Sequence, residues 1–423
     1  MRAAHVDFPL PEQPRNHHRC CAGSSGISPQ SSAVAVTTTS TSSILRRLQV
    51  VVWLQWMGAT LGLPLLPLFL KNHGAQPSTI GVIMGSFFLS GVVTQFVAGR
   101  LADRFGRRTI LIGALVLYGV AGPSYLLPVN ANWFIITRIL QGAAAGAIEV
   151  AALSTVAGLV PEHERGRAMS KIFAAQLGGI AMGPLFGVLI DVPQIGWAYT
   201  FAGLASVTAA MFARRFLPYV EREDHDEPLP PMQLTRQVVG AVVGSMAIGL
   251  GVGVYEASWS LLMEGIGATT TQIRLSWTFF CLPWVLLSSV GGKIADRFDR
   301  RKVAIFGAYN AAFFLFLYPH IHNPWILVAI GPCEAVGAAL TAPAMSSLLT
   351  QGAHDRELGR RQGLSTTFNT AALATSASLA GPLFAVKPSL PFTVFASASA
   401  MFTTSLFYFW RHVPGRIRES ESV

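Results

Sequence analysis

Apolar stretches long enough to cross a lipid bilayer recur along almost the whole chain from Leu48 onward. A helix that crosses the hydrocarbon core needs roughly 20 apolar residues. None of the stretches shows the polar–apolar alternation of a membrane barrel strand. The sequence therefore predicts an all-α integral membrane protein with twelve transmembrane helices. The predicted spans are residues 48–70, 79–99, 109–128, 132–158, 168–190, 196–216, 237–262, 271–291, 303–319, 324–350, 363–385 and 389–410.

The composition argues against the common soluble classes. Charged residues make up 12% of the chain, whereas soluble proteins carry about 25%. The net charge of +10 comes from short basic blocks between apolar stretches rather than from a basic soluble face, so no nucleic-acid partner is expected. The four cysteines show no metal-ligand spacing, and the sequence predicts neither a metal site nor a cofactor.

Lysine and arginine are distributed unevenly between alternate loops. One set of loops, together with both termini, holds nearly all of them, and the other set holds only Lys71, Arg274 and Lys387. Because basic loops stay on the cytoplasmic side, both termini are predicted to be cytoplasmic. We expect a multi-pass protein of the plasma (inner) membrane whose basic loops meet anionic lipid.

A charged ten-residue block appears twice, as GRLADRFGRR at 99–108 and as GKIADRFDRR at 292–301, 193 residues later. The same offset relates further residues in a later loop, where Glu164, Gly166 and Arg167 map onto Glu357, Gly359 and Arg360. The chain therefore reads as two parallel six-helix halves. Parallel halves are a transporter architecture, with the binding site between them near mid-depth.

The repeat sets the predicted domain boundaries. Residues 1–43 are polar and rich in Ser and Thr, and they are expected to form a disordered cytoplasmic tail, unless they reflect an upstream start-site artefact. The N-terminal half is predicted to span residues 44–216 and the C-terminal half residues 237–410. A charged, proline-containing cytoplasmic linker at 217–236 joins them, and a cytoplasmic tail follows at 411–423.

Three motifs resemble signatures of the major facilitator superfamily, over essentially the whole chain from residue 45. The loop block matches a family signature, Arg138, Gln141 and Gly142 resemble R-x-x-Q-G, and span 5 resembles the G-x-x-x-G-P-x-x-G of the 12-span drug–proton antiporter branch. The four-residue glycine spacing also predicts a helix face for close packing. The residues of this predicted helix-packing motif are Gly142, Gly179, Gly183, Pro184 and Gly187.

The resemblance implies that the loop block is an inner latch between the halves, with Asp103 as its key acid. The alternative is that both blocks only anchor the chain by positive charge. Gly99 and Gly106 are expected to allow a tight turn with positive φ. Asp299 replaces the second glycine, which predicts a looser, left-handed turn there. The proposed latch residues are Gly99, Asp103, Arg104, Gly106, Arg107, Arg108, Asp296, Arg297, Arg300 and Arg301.

Ionisable residues inside predicted spans are functional candidates, because each costs roughly 2.5–3.5 kcal/mol at the centre of the bilayer. They are Arg138, Glu149, Glu256 and Glu334, and we add Gln141 beside them. Arg138 and Glu149 share one helix face about 16 Å apart, too far for a direct pair. A buried carboxylate can be held neutral and can carry a proton, although Glu149 could equally be a structural acid. The resemblance ties the span-4 arginine to proton coupling.

Span 7, with GLGVGVYEASWSLL, and the related stretch WMGATLGLPLLP of span 1 are glycine-rich, and we expect both helices to bend or unwind. Glu256 with Tyr255 and Trp259 could meet a cationic, partly apolar solute. Alternatively, Trp259 belongs to the membrane-interface belt and Glu256 lies near the outer end. The predicted substrate-cavity residues are Gln55, Trp56, Gln176, Tyr255, Trp259 and Asn369.

The predicted function is secondary transport by alternating access, most simply proton-coupled efflux of small amphipathic compounds, with a small molecule and protons as partners and a monomer as the working unit. Span 1 lacks the acid that drug–proton antiporters often carry, so uptake of a sugar or organic acid by a symporter or facilitator remains open. A non-transporting sensor is a further alternative. No GxSxG, HExxH or Walker motif indicates an enzyme.

Overall fold

Thirteen α-helices and four short 3-10 turns account for most of the computed structural model, which describes residues 38–160, 162–217, 232–352 and 355–413. No strand occurs within these ranges. The helices before the linker are α1 (Thr38–Leu61), α2 (Leu66–Asn72), α3 (Pro77–Phe105), α4 (Arg107–Ala121), α5 (Trp133–Leu159), α6 (Glu162–Gly187) and α7 (Ile195–Phe216). Those after it are α8 (Arg236–Gly265), α9 (Thr270–Arg297), α10 (Arg300–Leu317), α11 (Pro324–Thr350), α12 (Asp355–Val386) and α13 (Leu390–Trp410).

Each predicted span coincides with an observed helix to within a few residues at its ends, except that span 1 is divided between α1 and α2 and span 3 ends in a 3-10 turn. Nine segments of the described chain are both long and apolar enough to cross a membrane: Thr41–Asn72, Pro77–Ala102, Arg107–Leu126, Trp133–Leu159, Val192–Phe216, Arg236–Gly265, Arg300–His320, Pro324–Thr350 and Leu390–Trp410. The other three predicted spans correspond to α6, α9 and α12, which have 26, 28 and 32 residues. They are long enough to span, and some of their polar residues, such as Gln176, Ser276 and Asn369, line the cavity between the halves. The all-α, multi-pass fold class is confirmed.

The chain ends differ from expectation at one point. Helix α1 begins at Thr38, so residues 38–43 are helical, and the prediction of a disordered tail up to residue 43 was wrong for them. Ser and Thr are favourable at a helix start, and the long apolar span that follows propagates the helix backward. The tail at 1–37, the linker at 218–231 and the C-terminal tail at 414–423 lie outside the described residues.

The two sets of helices pack in the same pattern. In the first half, α1 packs on α6 and α7, and α5 packs on α3 and α4. In the second half, α8 packs on α12 and α13, and α11 packs on α9 and α10. Since each of these pairs has its counterpart in the other half, the packing repeats as the doubled sequence block requires.

The most extensive contacts between the halves are those of α3 with α12 and of α6 with α9. The first contact is between backbones, because a Cβ on Gly81 would lie 2.7 Å from the amide nitrogen of Gly381. Glycine at both positions therefore permits an approach that any side chain would prevent.

The glycine-rich spans behave differently from each other. Span 1 is interrupted at Gly62, where α1 gives way to a 3-10 turn at Leu63–Leu65 and then to α2. Helix α8 is continuous over 30 residues, so the prediction that span 7 unwinds was wrong. Its Gly249 and Gly253 instead lie against the α12 backbone at Asn369 and Leu373, and this packing supports the helix.

Buried apolar residues are arranged differently at the two ends of the bundle. At the terminal end, where the described chain begins and ends, each half has its own core, around Leu48 in the first and Trp410 in the second. At the far end a single core takes side chains from both halves, including Phe69, Trp259 and Phe392. The halves therefore share one core at the far end and have separate cores at the terminal end.

Candidate functional site

A cavity of about 570 Å³ lies between the two halves. Most of its lining is apolar or aromatic, as in small-molecule sites generally. All four charged candidates contribute to it: Arg138 and Glu149 from α5, Glu256 from α8 and Glu334 from α11. The cavity extends from the shared far-end core toward the terminal end, where Leu349 and Gln362 line it.

Arg138 carries a buried charge without a direct ion pair. Its side chain is only 2% exposed, and its guanidinium carbon lies 4.1 Å from the centroid of the Phe87 ring. An aromatic face at this distance attracts a cation. The Nε atom has no hydrogen-bond partner among the described residues, so the arginine keeps unused donor capacity beside the cavity.

Glu256 faces Arg138 from the other half. It lies within electrostatic range of that guanidinium, although the described residues show no direct ion pair between them. The residue is 8% exposed, and its Oε2 atom has no hydrogen-bond partner. A buried carboxylate oxygen without a partner is costly. Binding a proton or a cation would therefore stabilise the buried Glu256 carboxylate.

Glu334 is held by two phenols. It accepts a hydrogen bond from Tyr255 at 2.8 Å and one from Tyr318 at 2.6 Å. The sequence analysis had grouped Tyr255 with Glu256. In the structure, the Tyr255 hydroxyl binds Glu334 instead. Trp259 is buried and donates from Nε1 to Ser276 at 2.8 Å, which removes the alternative that it belongs to an interface belt.

Glu149 lies nearer the terminal end of the bundle than the other charged groups of the cavity. It stands about 24 Å along α5 from the far-end start of that helix, whereas Arg138 stands about 8 Å along it. Its Oε2 accepts a hydrogen bond from Gln95 of α3 at 3.2 Å. Trp56 and Gln176 line the same part of the cavity, as predicted.

Two predicted polar residues lie outside the cavity, and their assignments are corrected. Gln141 is fully buried and accepts a hydrogen bond from the Tyr125 hydroxyl at 3.1 Å. Gln55 accepts one from Ser206 of α7 at 2.6 Å. Both amides are used in helix–helix contacts, where a polar pair holds neighbouring helices together.

Asn369 lines the cavity, but its amide is anchored. Its Nδ2 donates to the Ser245 carbonyl of α8 at 2.7 Å. The side chain therefore holds α12 against α8 and leaves its carbonyl oxygen available.

The glycine motif acts in helix packing. A Cβ on Gly179 would lie 2.6 Å from the Trp53 carbonyl oxygen of α1, and Gly183 and Gly187 face the same helix. Gly142 faces the α3 backbone in the same way, and Pro184 lines the cavity. Each glycine lets two backbones meet directly.

The two loop blocks differ from expectation. Gly106 has φ +88°, as a tight turn requires, but Gly99 is helical, and a Cβ there would meet nothing within 4 Å, so the turn role proposed for it was wrong. Asp299 has φ −67° and caps α10 by accepting from the Arg301 amide. Arg301 also holds the pKa of this carboxyl below its usual range. The contacts between Asp299 and Arg301 therefore hold the second loop in place, and the prediction of a looser, left-handed turn was wrong.

The arginines that end each block bind within their own half. Arg108 donates to the Arg214 carbonyl near the end of α7, and Arg301 donates to the Trp410 carbonyl at the end of α13. The side chains of Asp103 and Asp296 lie outside the described residues, so the inner latch remains a prediction.

Several functional residues were not anticipated. Helix α9 presents Trp277, Phe280 and Trp284 to the cavity, and their helical spacing in WTFFCLPW was the available signal. Arg274, assigned to a loop, lies buried in α9 and donates to the Ile190 carbonyl of the other half.

The far end also carries an ion pair between the halves. The Lys71 Nζ atom lies 2.6 Å from Glu264 Oε2. The two residues are 193 positions apart, the offset of the doubled block. They are therefore equivalent positions of the two halves that meet each other.

Comparison with known proteins agrees with this architecture. The sequence profile of the Major Facilitator Superfamily matches residues 49–240 and again 241–422. The quinolone resistance protein NorA of Staphylococcus aureus (strain MSSA476) is 22% identical over 351 residues, which cover 80% of this chain and 89% of that protein. Multidrug resistance protein 2 of Bacillus subtilis (strain 168) is 25% identical over 380 residues, which cover 85% and 93%. A crystal structure of a D-xylose-proton symporter superposes with a TM-score of 0.68 at 16% identity and covers 90% of this chain and 99% of that one.

The fold and its central cavity define a multi-pass membrane transporter of small molecules rather than an enzyme. The chain belongs to the Major Facilitator Superfamily, whose profile covers each of its halves once.

Proposed function

We propose that this transporter exports small amphipathic cations in exchange for protons by alternating access. The observation that carries the proposal is the Glu256 carboxylate, which lies in an apolar, aromatic cavity with one oxygen unpartnered. A solute with an ammonium group and an aromatic body matches both features. The multidrug and quinolone resistance proteins among the relatives support the same direction.

Exchange of solute for protons follows because the solute cation and the proton compete for the same carboxylates. A protonated Glu256 has no charge to hold a cation, so binding a proton releases the solute, and binding the solute displaces the proton. Arg138, from the other half, lies within electrostatic range of this carboxylate without a direct ion pair among the described residues. Glu334, fixed by two phenols, is a second acid that can take up a proton without changing its position.

We further propose a working cycle for the transporter. We place the terminal end in the cytoplasm, in line with the basic loops, so that the cavity is open inward and loads solute from that side. The far-end core, with the Lys71–Glu264 pair, closes the outer face. The block at 99–108 and its copy would close the inner face in the alternate state, with Asp103 as the key acid. We also propose that the protein resides in the plasma membrane and acts as a monomer. It would use a proton gradient and no cofactor.

A proton-coupled uptake of a sugar or organic acid is the second candidate. The amides of Gln95, Gln176, Gln362 and Asn369 line the cavity and offer hydrogen bonds to hydroxyl groups. No acidic residue occurs at 48–70, where drug–proton antiporters often have one.

Transport by the purified protein in liposomes separates the two. With a pH gradient of either sign, we expect ethidium to move against the proton flow and D-xylose to show no saturable flux. Glu256→Gln should abolish the gradient-driven ethidium flux, and Asp191→Asn, which removes an exposed far-end carboxylate but keeps its acceptor oxygen, serves as the matched control. Ethidium flux that ignores the gradient, or an active Glu256→Gln variant, would overturn the proposal.

A further inference from the structure

Glu149 is a second acid of the cavity, besides Glu256, whose described partners leave an oxygen without a hydrogen bond. Its Oε2 accepts a single hydrogen bond, from the neutral amide of Gln95. Among the described residues its Oε1 makes no hydrogen bond and is not fully enclosed. Since the residue lines the cavity, this second oxygen faces open space.

A small side cleft opens beside this carboxylate. Trp56, Glu149 and Gln176 line both the main cavity and the cleft. The remaining walls of the cleft are apolar side chains of α1, α5 and α6, namely Val52, Ile148, Ala152, Leu153, Ile172 and Phe173. The cleft holds only about 10 Å³, which is room for one water-sized group. It fits an ammonium or N-methyl group, while a ring must remain outside, near Trp56.

The position of the cleft separates it from the deep acids. Glu149 stands about 24 Å along its helix from the far end, whereas Glu256 and Glu334 stand about 14 and 15 Å along theirs. The cleft is built wholly from the N-terminal half, and both deep acids belong to the C-terminal half. A solute that enters from the open terminal end meets Glu149 first.

We propose that Glu149, Trp56 and Gln176 form a mouth site, a second cation-binding site that takes the ammonium head of an amphipathic solute before the head reaches Glu256. The carboxylate supplies the charge, the Trp56 indole supplies an aromatic face, and the Gln176 amide supplies a carbonyl acceptor for an N–H group. Two cations bound at Glu149 and at Glu256 at the same time would repel each other. A single cation therefore passes from the mouth site to Glu256. This inference rests on the proposed function and adds a position of the solute within the same cavity.

Equilibrium binding of radiolabelled benzyltrimethylammonium to the purified full chain tests the mouth site without any proton gradient. Its quaternary ammonium offers N-methyl groups to the cleft and keeps its charge at every pH. We expect Glu256→Gln to retain saturable binding, because the mouth site remains. Adding Glu149→Gln to that variant should weaken binding about tenfold, as loss of a partly desolvated ion pair predicts.

The controls follow from the same contacts. Glu149→Gln keeps an acceptor for Gln95, so folding should be preserved, and a single symmetric gel-filtration peak checks this. Asp191→Asn in the Glu256→Gln variant removes an exposed carboxylate at the far end, keeps an acceptor for the Val192 amide, and should leave binding unchanged. Trp56→Leu should weaken binding of the benzyl probe several-fold, and Trp56→Phe should restore most of it.

Two results would overturn the mouth site: loss of all saturable binding in Glu256→Gln alone, or equal affinity of Glu256→Gln with and without Glu149→Gln. Failure of proton-linked export in liposomes would overturn the proposed function and leave this binding result standing.

Discussion

Substituting Gly81 tests how tightly the halves must meet for the far end to close. A Cβ at this position would lie 2.7 Å from the Gly381 nitrogen, 2.9 Å from its Cα and 3.0 Å from the Ala377 carbonyl oxygen. All three atoms are backbone, so α3 and α12 must separate to admit a methyl group. Gly81→Ala should therefore disfavour the state in which the far end is closed.

The size of the effect follows from overpacking. Inserting one methyl group into a tight contact costs about 1–3 kcal/mol. The closed state gives up this energy and the open state does not, so the ratio of the two populations should shift by roughly 5- to 150-fold. Alanine also favours helix by about 1 kcal/mol over glycine, but this gain applies to both states.

Spin labels in the far-end loops can measure this shift. Asn132 precedes α5 and His322 precedes α11, and both are exposed, so a pair of labels there reports the distance between the halves. In Gly81→Ala the shorter distance should lose population and a longer one should gain it. Gly113→Ala is the matched control, because a Cβ there would meet nothing within 4 Å. An unchanged distance distribution in Gly81→Ala would refute the reasoning.

Three further perturbations have defined outcomes. Asp299→Ala removes a helix cap and an ion pair, and it should lower Tm by about 1–2 °C at pH 7. Because the folded pKa of this carboxyl is lowered, its contribution is lost as pH falls through that pKa, so the Tm difference should shrink in acid and a constant difference would contradict this account. Phe87→Leu removes the ring beside the buried guanidinium and should lower the free energy of unfolding by about 1–2 kcal/mol in thermal melts, unlike Phe96→Leu at an exposed position of the same helix. Lys71→Glu should shift the spin-label distances toward an open far end, and adding Glu264→Lys should restore them; failure of the double exchange to restore them would show that the pair is incidental.

The helical period alone was enough to place the charges of α5. Arg138 and Glu149 are eleven residues apart, so they share a face whatever the neighbouring helices do, and both line the cavity. The same argument could not place the polar amides, because sequence does not determine how a helix is rotated against its neighbours. Gln141 is only three residues from Arg138, yet it turns toward Tyr125 and away from the cavity.

The sequence by itself determined the fold class, because twelve apolar stretches and a doubled charged block leave a lipid-embedded chain few ways to satisfy its backbone. Tertiary structure alone decided which groups meet: the two tyrosines on Glu334, the unpartnered oxygen of Glu256, and the Lys71–Glu264 pair. The physical reason is that hydropathy and periodicity act within one helix, whereas these contacts depend on the rotation and approach of helices far apart in the chain. Which end of the cavity is closed depends on the same packing, through the single core that the two halves share at the far end.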